Sequence, residues 1–122
     1  MFVLILALLL PLFDSSDDLT VIVSDCKSQK GQLFIALYDD KDEFPIFGKQ
    51  LIGEIVPLSK KPRHEFTFKK LVHKTYAIAV FHDINSNGKL DRNALGLPLE
   101  PYGFSNNARN TFSAPSFSQA SF

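Results

Sequence analysis

Apolar and polar positions alternate with a period of two through most of this chain, the pattern of strands that bury one face. Leu19, Val21 and Val23 alternate with Thr20, Ile22 and Ser24, which predicts a first strand. Gln32 to Tyr38 is apolar on both faces, with Leu33, Ile35 and Leu37 set against Phe34, Ala36 and Tyr38. Such a run predicts an interior strand. Residues 50–56, ended by Pro57, form a third. In a fourth, Phe66 and Phe68 face in while Glu65, Thr67 and Lys69 face out. His64 and His73, at its polar ends, read as surface residues. Residues 74–82 form a fifth strand, with Tyr76, Ile78 and Val80 on one side and Ala77, Ala79 and Phe81 on the other. Those small alanines would let another layer come close.

Between these runs the punctuation is that of turns. Residues 27–31 are a polar turn ending in Gly31, residues 39–43 an acidic loop, and residues 59–63 a turn carrying Lys60, Lys61 and Pro62. Phe44-Pro45-Ile46-Phe47-Gly48 is too broken by Pro and Gly for regular structure, and is expected to fold its phenylalanines over one end of the core. From Pro98 onward Pro, Gly, Ser and Asn dominate, with Phe104, Phe112, Phe117 and Phe122 spaced as anchors that pin this tail to the domain. No segment after the first 13 residues shows an apolar period of 3.6. Short strands separated by turn signals at roughly ten-residue spacing predict an all-β chain folded as an antiparallel β-sandwich.

The N-terminus breaks the pattern. Positions 2–13 are almost wholly apolar. A run of about a dozen residues is too short for a membrane span, which needs roughly 20, and matches the apolar region of a secretory signal peptide. No Lys or Arg precedes it and there is no Ala-x-Ala cleavage site, only Ser15 and Ser16. The competing readings are an uncleaved anchor or an apolar helix docked on the domain. Residues 1–17 are read as a signal peptide and residues 18–122 as a single β-sandwich domain, which places the mature chain in the periplasm or outside the cell with no stable membrane span.

Composition narrows the function classes. Thirteen Lys and Arg balance thirteen Asp and Glu, so the chain has no long-range field of either sign and lacks the basic footprint of a nucleic-acid binder. Lys60, Lys61 and Arg63, with Lys69 and Lys70 nearby, read as a solvated face rather than a phosphate patch. Cys26 is the sole cysteine, which excludes an internal disulfide. Ending an alternating strand, it reads as a partly buried structural thiol.

The stretch that carries chemistry is His82-Asp-Ile-Asn-Ser-Asn-Gly-Lys-Leu-Asp91. Alternate residues in a coiled loop can point oxygens at one centre, and a hard cation such as calcium takes 6–8 oxygens at about 2.3–2.6 Å. Asp83, Asn85 and Asn87 take the first, third and fifth positions of such a loop, Gly88 supplies the turn, Lys89 offers its carbonyl, and Asp91 sits at the ninth. Leu90 would anchor the loop to the core. The twelfth position is Ala94, where a helix–loop–helix calcium site has a bidentate Glu, and the entering flank is a strand. The loop is therefore not an EF-hand. It looks like shorter Asp/Asn-rich calcium loops, with the missing ligand supplied by Glu100, a carbonyl or water. Two carboxylates place the affinity in the weak class, of order 10⁻⁴–10⁻³ M. The alternative is a metal-free, Asx-stabilised hairpin, since Asn87-Gly88 is itself a strong turn signal. If the strands alternate simply up and down, this loop shares an end with the turns after the first and third strands, and the acidic loop lies at the far end.

His82 has no second His or Cys at zinc-like spacing and reads as a strand-end histidine. Ser105, His82 and Asp83 have the residue types of a hydrolase triad, but there is no Gly-x-Ser-x-Gly elbow, and neighbours on a strand point to opposite faces.

Tyr76-Ala-Ile-Ala-Val-Phe-His-Asp83, the Asn85/Asn87/Gly88/Leu90/Asp91 loop, Gly96-Leu-Pro98 and Tyr102-Gly-Phe-Ser-Asn-Asn107 together resemble the bacterial family known as domain of unknown function 2141. The resemblance runs from about Leu19 to Phe122. It implies a small secreted or periplasmic protein with an immunoglobulin-like or transthyretin-like sandwich and no established activity. Two departures stand out. Leu71-Val-His-Lys-Thr75 replaces the family's Pro/Gly turn, and members tend to continue with one more strand, whose absence would leave a sheet edge open to pairing.

The sequence thus predicts an exported, non-catalytic module of the bacterial cell envelope with a calcium-type loop formed by Asp83, Asn85, Asn87, Lys89 and Asp91. Tyr102, Phe104, Asn106 and Asn107 are the candidate contact surface for an envelope protein or glycan. The alternatives are a small periplasmic hydrolase using His82 and Ser105, and an edge-pairing subunit of an envelope assembly.

Overall fold

A computed structural model describes residues 2–8, 16–26, 29–88, 101–110 and 113–122. Two antiparallel sheets pack face to face. The strands are β1 (Phe2–Leu8), β2 (Ser16–Ser24), β3 (Gln32–Tyr38), β4 (Ile52–Pro57), β5 (Arg63–Val72), β6 (Ala77–Asp83) and β7 (Tyr102–Phe104). One sheet has the order β1-β2-β5 and the other β4-β3-β6-β7. The all-β sandwich is therefore as the alternation predicts. β1 and β2 pair in one sheet and β3 lies in the other, the arrangement of the first three strands of an immunoglobulin domain.

The core between the sheets follows from the alternation. Leu19, Val21 and Val23 from β2, Leu33, Ile35 and Leu37 from β3, Phe68 from β5, and Tyr76, Ile78 and Val80 at and in β6 form one buried cluster. Cys26 packs at its edge, half-buried, and burial pushes its thiol pKa up. The opposite faces of β3 and β6 are also covered. Ala36 and Ala77 are buried with Tyr38, Phe44, Phe104 and Ala120, with Phe34, Ala79 and Phe117 packed against them. The alanines do admit a further layer, and the chain's own aromatic segments supply it. Phe44 meets Tyr38, Phe104 and Phe117 edge-on with centroids 5.2, 5.9 and 6.0 Å away. Phe47 crosses Phe34 and Phe81 in the same manner. The Pro/Gly-punctuated segment thus lies across a sheet face, not over one end of the core, because only that face offers side chains small enough to be overlaid.

Two details escaped the alternation. His64 is buried, 7% exposed, rather than a surface residue. β5 starts at Arg63, so its period carries His64 onto the inward face with Phe66 and Phe68, opposite Val23. His73 is exposed as expected and meets Asp17 at 2.6 Å. A bulge shifts the β2–β5 register between Asp17 and Leu19. There Lys70 has φ +57°, and its N–H donates to Asp18 Oδ1 at 3.0 Å.

Tyr76 turns the corner into β6. Its hydroxyl donates to the Val72 carbonyl at 2.8 Å, and its backbone exchanges two hydrogen bonds with Phe122. The helical turn α1 (Phe117–Ala120) starts with a reciprocal capping box between Ser116 and Gln119, which satisfies two of the orphan donors at a helix start. The tail is pinned by these backbone contacts as well as by Phe104 and Phe117. Phe112 and residues 89–100 lie outside the described residues. Within the N-terminal run, for which a signal peptide is the expectation, β1 pairs antiparallel with β2, from Phe2 opposite Ser24 to Leu8 opposite Asp18.

Tyr38 gives this packing a measurable consequence. It is 2% exposed, its hydroxyl donates to the Ile46 carbonyl at 2.9 Å, and burial pushes its pKa from 10.0 up to about 12. In the unfolded chain the phenol ionises near its ordinary value, so its contribution to stability is complete below that value and is lost as pH rises through about 12. Denaturant unfolding across this alkaline window is expected to show the wild type losing stability faster than Tyr38→Phe, with the two curves parallel at neutral pH. Parallel curves throughout would show that Tyr38 ionises freely in the folded state.

Candidate functional site

The register of β3 on β6 builds the site. It sets Gln32 opposite Asp83 and Leu33 opposite His82, so two polar residues end a strand that is apolar for its first five positions. Both are fully buried. A polar group at such a position requires internal partners, and the neighbouring turns provide them.

Among the described residues, Asp83 is held by three N–H donors. Oδ2 accepts from Gly88 N–H at 2.7 Å and from the Gln32 amide at 3.1 Å, and Oδ1 accepts from Asn87 N–H at 3.2 Å. Asn85 Oδ1 accepts from the same Asn87 N–H at 3.2 Å. Positive φ at Ser86 (+54°) and Gly88 (+75°) curls the loop back over the carboxylate. Among the described residues neither ion pair involves Asp83, so amide dipoles rather than a side-chain cation face this buried carboxylate. The structure thus brings together the predicted first and third loop positions around the backbone of the fifth. Lys89 and Asp91 lie outside the described residues, as does Glu100. No group of three His, Cys, Asp or Glu with metal-binding placement occurs among the described residues.

The floor beneath the loop is Gly31, which the sequence marked only as a turn end. It has φ +83°, and a Cβ there would overlap the carbonyl oxygen of Asp83 and come within 2.6 Å of that of Ile84. Leu58 N–H donates to its carbonyl at 3.2 Å. The turns after β2 and β4 and the loop after β6 therefore meet at one end of the sandwich, as simple up-and-down alternation predicts. The acidic segment lies at the other end, where Asp39 pairs with Lys74 at 3.2 Å.

The histidines are structural in placement. His82 Nε2 donates to the Lys30 carbonyl at 2.6 Å, and its backbone N–H donates to the Pro101 carbonyl at 2.8 Å. His64 Nε2 accepts from Ser59 N–H at 3.0 Å. In both rings Nδ1 is buried and without a hydrogen-bond partner. Ser105 is fully buried. Its hydroxyl oxygen accepts from Ile78 N–H at 2.9 Å and its O–H donates to the Ala120 carbonyl. No hydrogen bond joins His82 to Ser105, so the pair a hydrolase would need is not formed, and the serine instead ties β6 to the tail.

The candidate contact surface is divided. Tyr102 is 46% exposed, while Phe104 is 8% exposed and part of the outer aromatic layer, a correction to its expected exposure. The reason is register. Phe104 lies opposite Ala79, whose small side chain leaves room for the ring, whereas Tyr102 lies opposite Phe81. Asn106 and Asn107 are exposed in a 3-10 turn (Ser105–Asn107) with φ of +61° and +51°, a region Asn tolerates better than other side chains. The Asn106 amide also donates to the Ser121 carbonyl at 2.7 Å.

Residues 21–122 match the family model described as an uncharacterized protein conserved in bacteria, domain of unknown function 2141, and the chain belongs to that family. No curated protein and no solved structure matches it.

The tight seat of the loop yields a test. Gly31→Ala must relieve both a positive φ and an overlap with the Asp83–Ile84 backbone, and is expected to cost roughly 2–4 kcal/mol. Gly88→Ala, where a Cβ meets nothing within 4 Å, is expected to cost only the φ strain, about 1 kcal/mol. Equal losses for the two in denaturant unfolding would show that the Gly31 contact is not what fixes the loop.

Proposed function

We propose that the protein is an exported, non-catalytic β-sandwich module of the bacterial cell envelope whose 83–91 loop is stiffened by a weakly held calcium ion. The observation that carries this reading is the state of Asp83. It is a wholly buried carboxylate with no ion pair among the described residues, and its Oδ1 shares one N–H with Asn85 Oδ1. Asp83, Asn85 and Asn87, with the Lys89 carbonyl and Asp91, would hold the ion, and its charge would complement the buried carboxylate. A carboxylate has about four lone-pair sites, so three N–H bonds leave room for the metal. Two carboxylates in the set keep the affinity in the weak range, of order 10⁻⁴–10⁻³ M.

Stiffening this loop would also steady the returning chain, which rejoins the sheet where Pro101 accepts from His82 N–H. The surface it would present is Tyr102 with Asn106 and Asn107, suited to an envelope protein or glycan. The neutral chain offers nucleic acid no electrostatic footprint. Export is supported by the apolar run at residues 2–13 and by a family match that begins downstream of it, at residue 21. Among the described residues no helix is long and apolar enough to cross a membrane. The non-catalytic reading is supported by the engagement of the Ser105 hydroxyl within the fold.

Calcium at about 10 mM is expected to raise Tm by roughly 5–10 °C, and chelator to reverse it. Because Asp83 also holds the loop together, the discriminating variant is Asn85→Ala at the exposed third position. It is expected to retain the metal-free Tm and lose most of the calcium response. A wild-type melting curve unmoved by calcium would overturn the metal reading. For export, the intact mass of chain recovered from a bacterial periplasm is expected to lack a leader ending near residues 15–18; a full-length mass would overturn it.

A further inference from the structure

The edges of the two sheets are not alike. β5 ends its sheet with exposed Lys69 and Lys70 and a bulge at Lys70. β4 ends with Pro57, and β7 is three residues long. Each is a known means of blunting an edge against pairing. The outer edge of β2 has none of them. Ser16–Ser24 is nine residues long, contains no Lys, Arg or Pro, carries charge only at Asp17 and Asp18 near its start, and among the described residues is covered by β1.

β1 is an uninterrupted apolar, uncharged strand in register with all of Leu19–Ser24. The register sets Ala7, Ile5 and Val3 opposite Leu19, Val21 and Val23, the buried positions of β2. β1 also lies against β7 and the 3-10 turn of the other sheet. It therefore fills a groove with β2 as one wall and residues 102–107 as the other.

We infer that this groove is a strand-accepting site, which takes an extended, uncharged, apolar segment of another polypeptide in antiparallel pairing with β2 once residues 2–8 have left with the leader. The inference rests on the export reading for when the site opens. The occupant's chemistry is that of the segment seated there: backbone donors and acceptors for the edge, an apolar sequence throughout, and no charge. A second copy's β2 fits less well, because a two-fold centred on Val21 would set Asp17 of each copy opposite Asp25 of the other, and like charges across a strand pair are destabilising. Strand addition of this kind draws affinity from main-chain hydrogen bonds and specificity from alternate side chains.

The test uses the full chain carrying Leu4→Pro and Ile5→Pro together. Consecutive residues present their N–H groups to opposite sides of a strand, so one of the two lost donors faces β2 whichever way β1 lies. The probe is a dye-labelled synthetic peptide of the Phe2–Leu8 sequence with lysines at both ends for solubility. The double variant is expected to bind one peptide per chain. The unaltered chain, whose groove is filled in cis at high effective concentration, is expected to bind it about 100-fold more weakly. A version with Asp at alternate positions is expected not to bind. Absence of binding to a folded double variant, equal binding to both chains, or a self-associated dimer that the peptide fails to dissociate would each overturn the inference. So would unfolding of the double variant, since β1 would then be a fixed part of the domain. None of these outcomes depends on whether the leader is cleaved in the periplasm, so failure of the export reading and failure of this one are separately visible.

Discussion

β6 is buried on both faces at every position but half-buried Ala79, and the rest of the molecule is arranged to make that tolerable. It is paired on both edges, by β3 and β7. One face turns Ile78 and Val80 into the inter-sheet core, and the other turns Ala77 and Phe81 under a second apolar layer. A strand in this position cannot end on exposed polar residues until it has cleared both layers. His82 and Asp83 have not cleared them. Their polar atoms must be satisfied from within, because an unpaired buried carboxylate or imidazole costs more than any local packing returns. The chain answers by bringing three turns to the same end, where Lys30, Gln32, Asn87 and Gly88 act as partners.

The second layer follows from the same constraint. Alanines at positions 36, 77 and 79 remove the bulk that would keep another element away, and the aromatic rings that overlay them come from the 44–48 segment and from the tail. Edge-to-face geometry recurs because a ring's positive edge is drawn to its neighbour's negative face. The covering segments hold only the three-residue β7 and the single helical turn α1 among the described residues, so their own backbone groups need anchors. Ser105 supplies one by bridging Ile78 and Ala120, Asn106 another through Ser121, and Tyr76 a third through Phe122. A serine whose residue type suggested a nucleophile is in this setting a structural bracket.

What was legible in the sequence is what period-two alternation controls. The existence of β2 to β6, their inward faces, the small side of β6 and the shared end of the three turns all follow from where apolar residues recur, whereas β1 and β7 carry no such signal. What was not legible depends on register or on long-range contact. His64 reads as polar and terminal until β5 is seen to begin at Arg63, after which the same alternation places it inside. Phe104 and Tyr102 are equivalent aromatic residues two apart in sequence, and only the identity of the cross-strand partner, Ala79 or Phe81, decides that one is buried and the other exposed. Gly31 was marked as a turn residue, but its closeness to the Asp83–Ile84 backbone, some fifty positions away, has no local signal.

The two readings of the 83–91 loop, a turn closed by Asx hydrogen bonds and a cation site, describe successive demands on the same atoms. An Asp at the mouth of a buried strand must first gather amide N–H groups, because the fold leaves it no water. Gathering them from residues 87 and 88 curls the loop, and the curl carries Asn85 Oδ1 toward Asp83 Oδ1 by giving both the same donor. Oxygen convergence is therefore a by-product of satisfying the carboxylate, obtained before any metal is present. On the proposed calcium reading, that ordering would let the loop be well formed while its affinity stayed low. The amides already neutralise part of the charge a cation would meet, so the ion adds only the difference. It also separates the two roles along the loop. Asp83 serves the fold in either state, whereas Asn85, exposed and one turn further out, is the position at which a cation would change most.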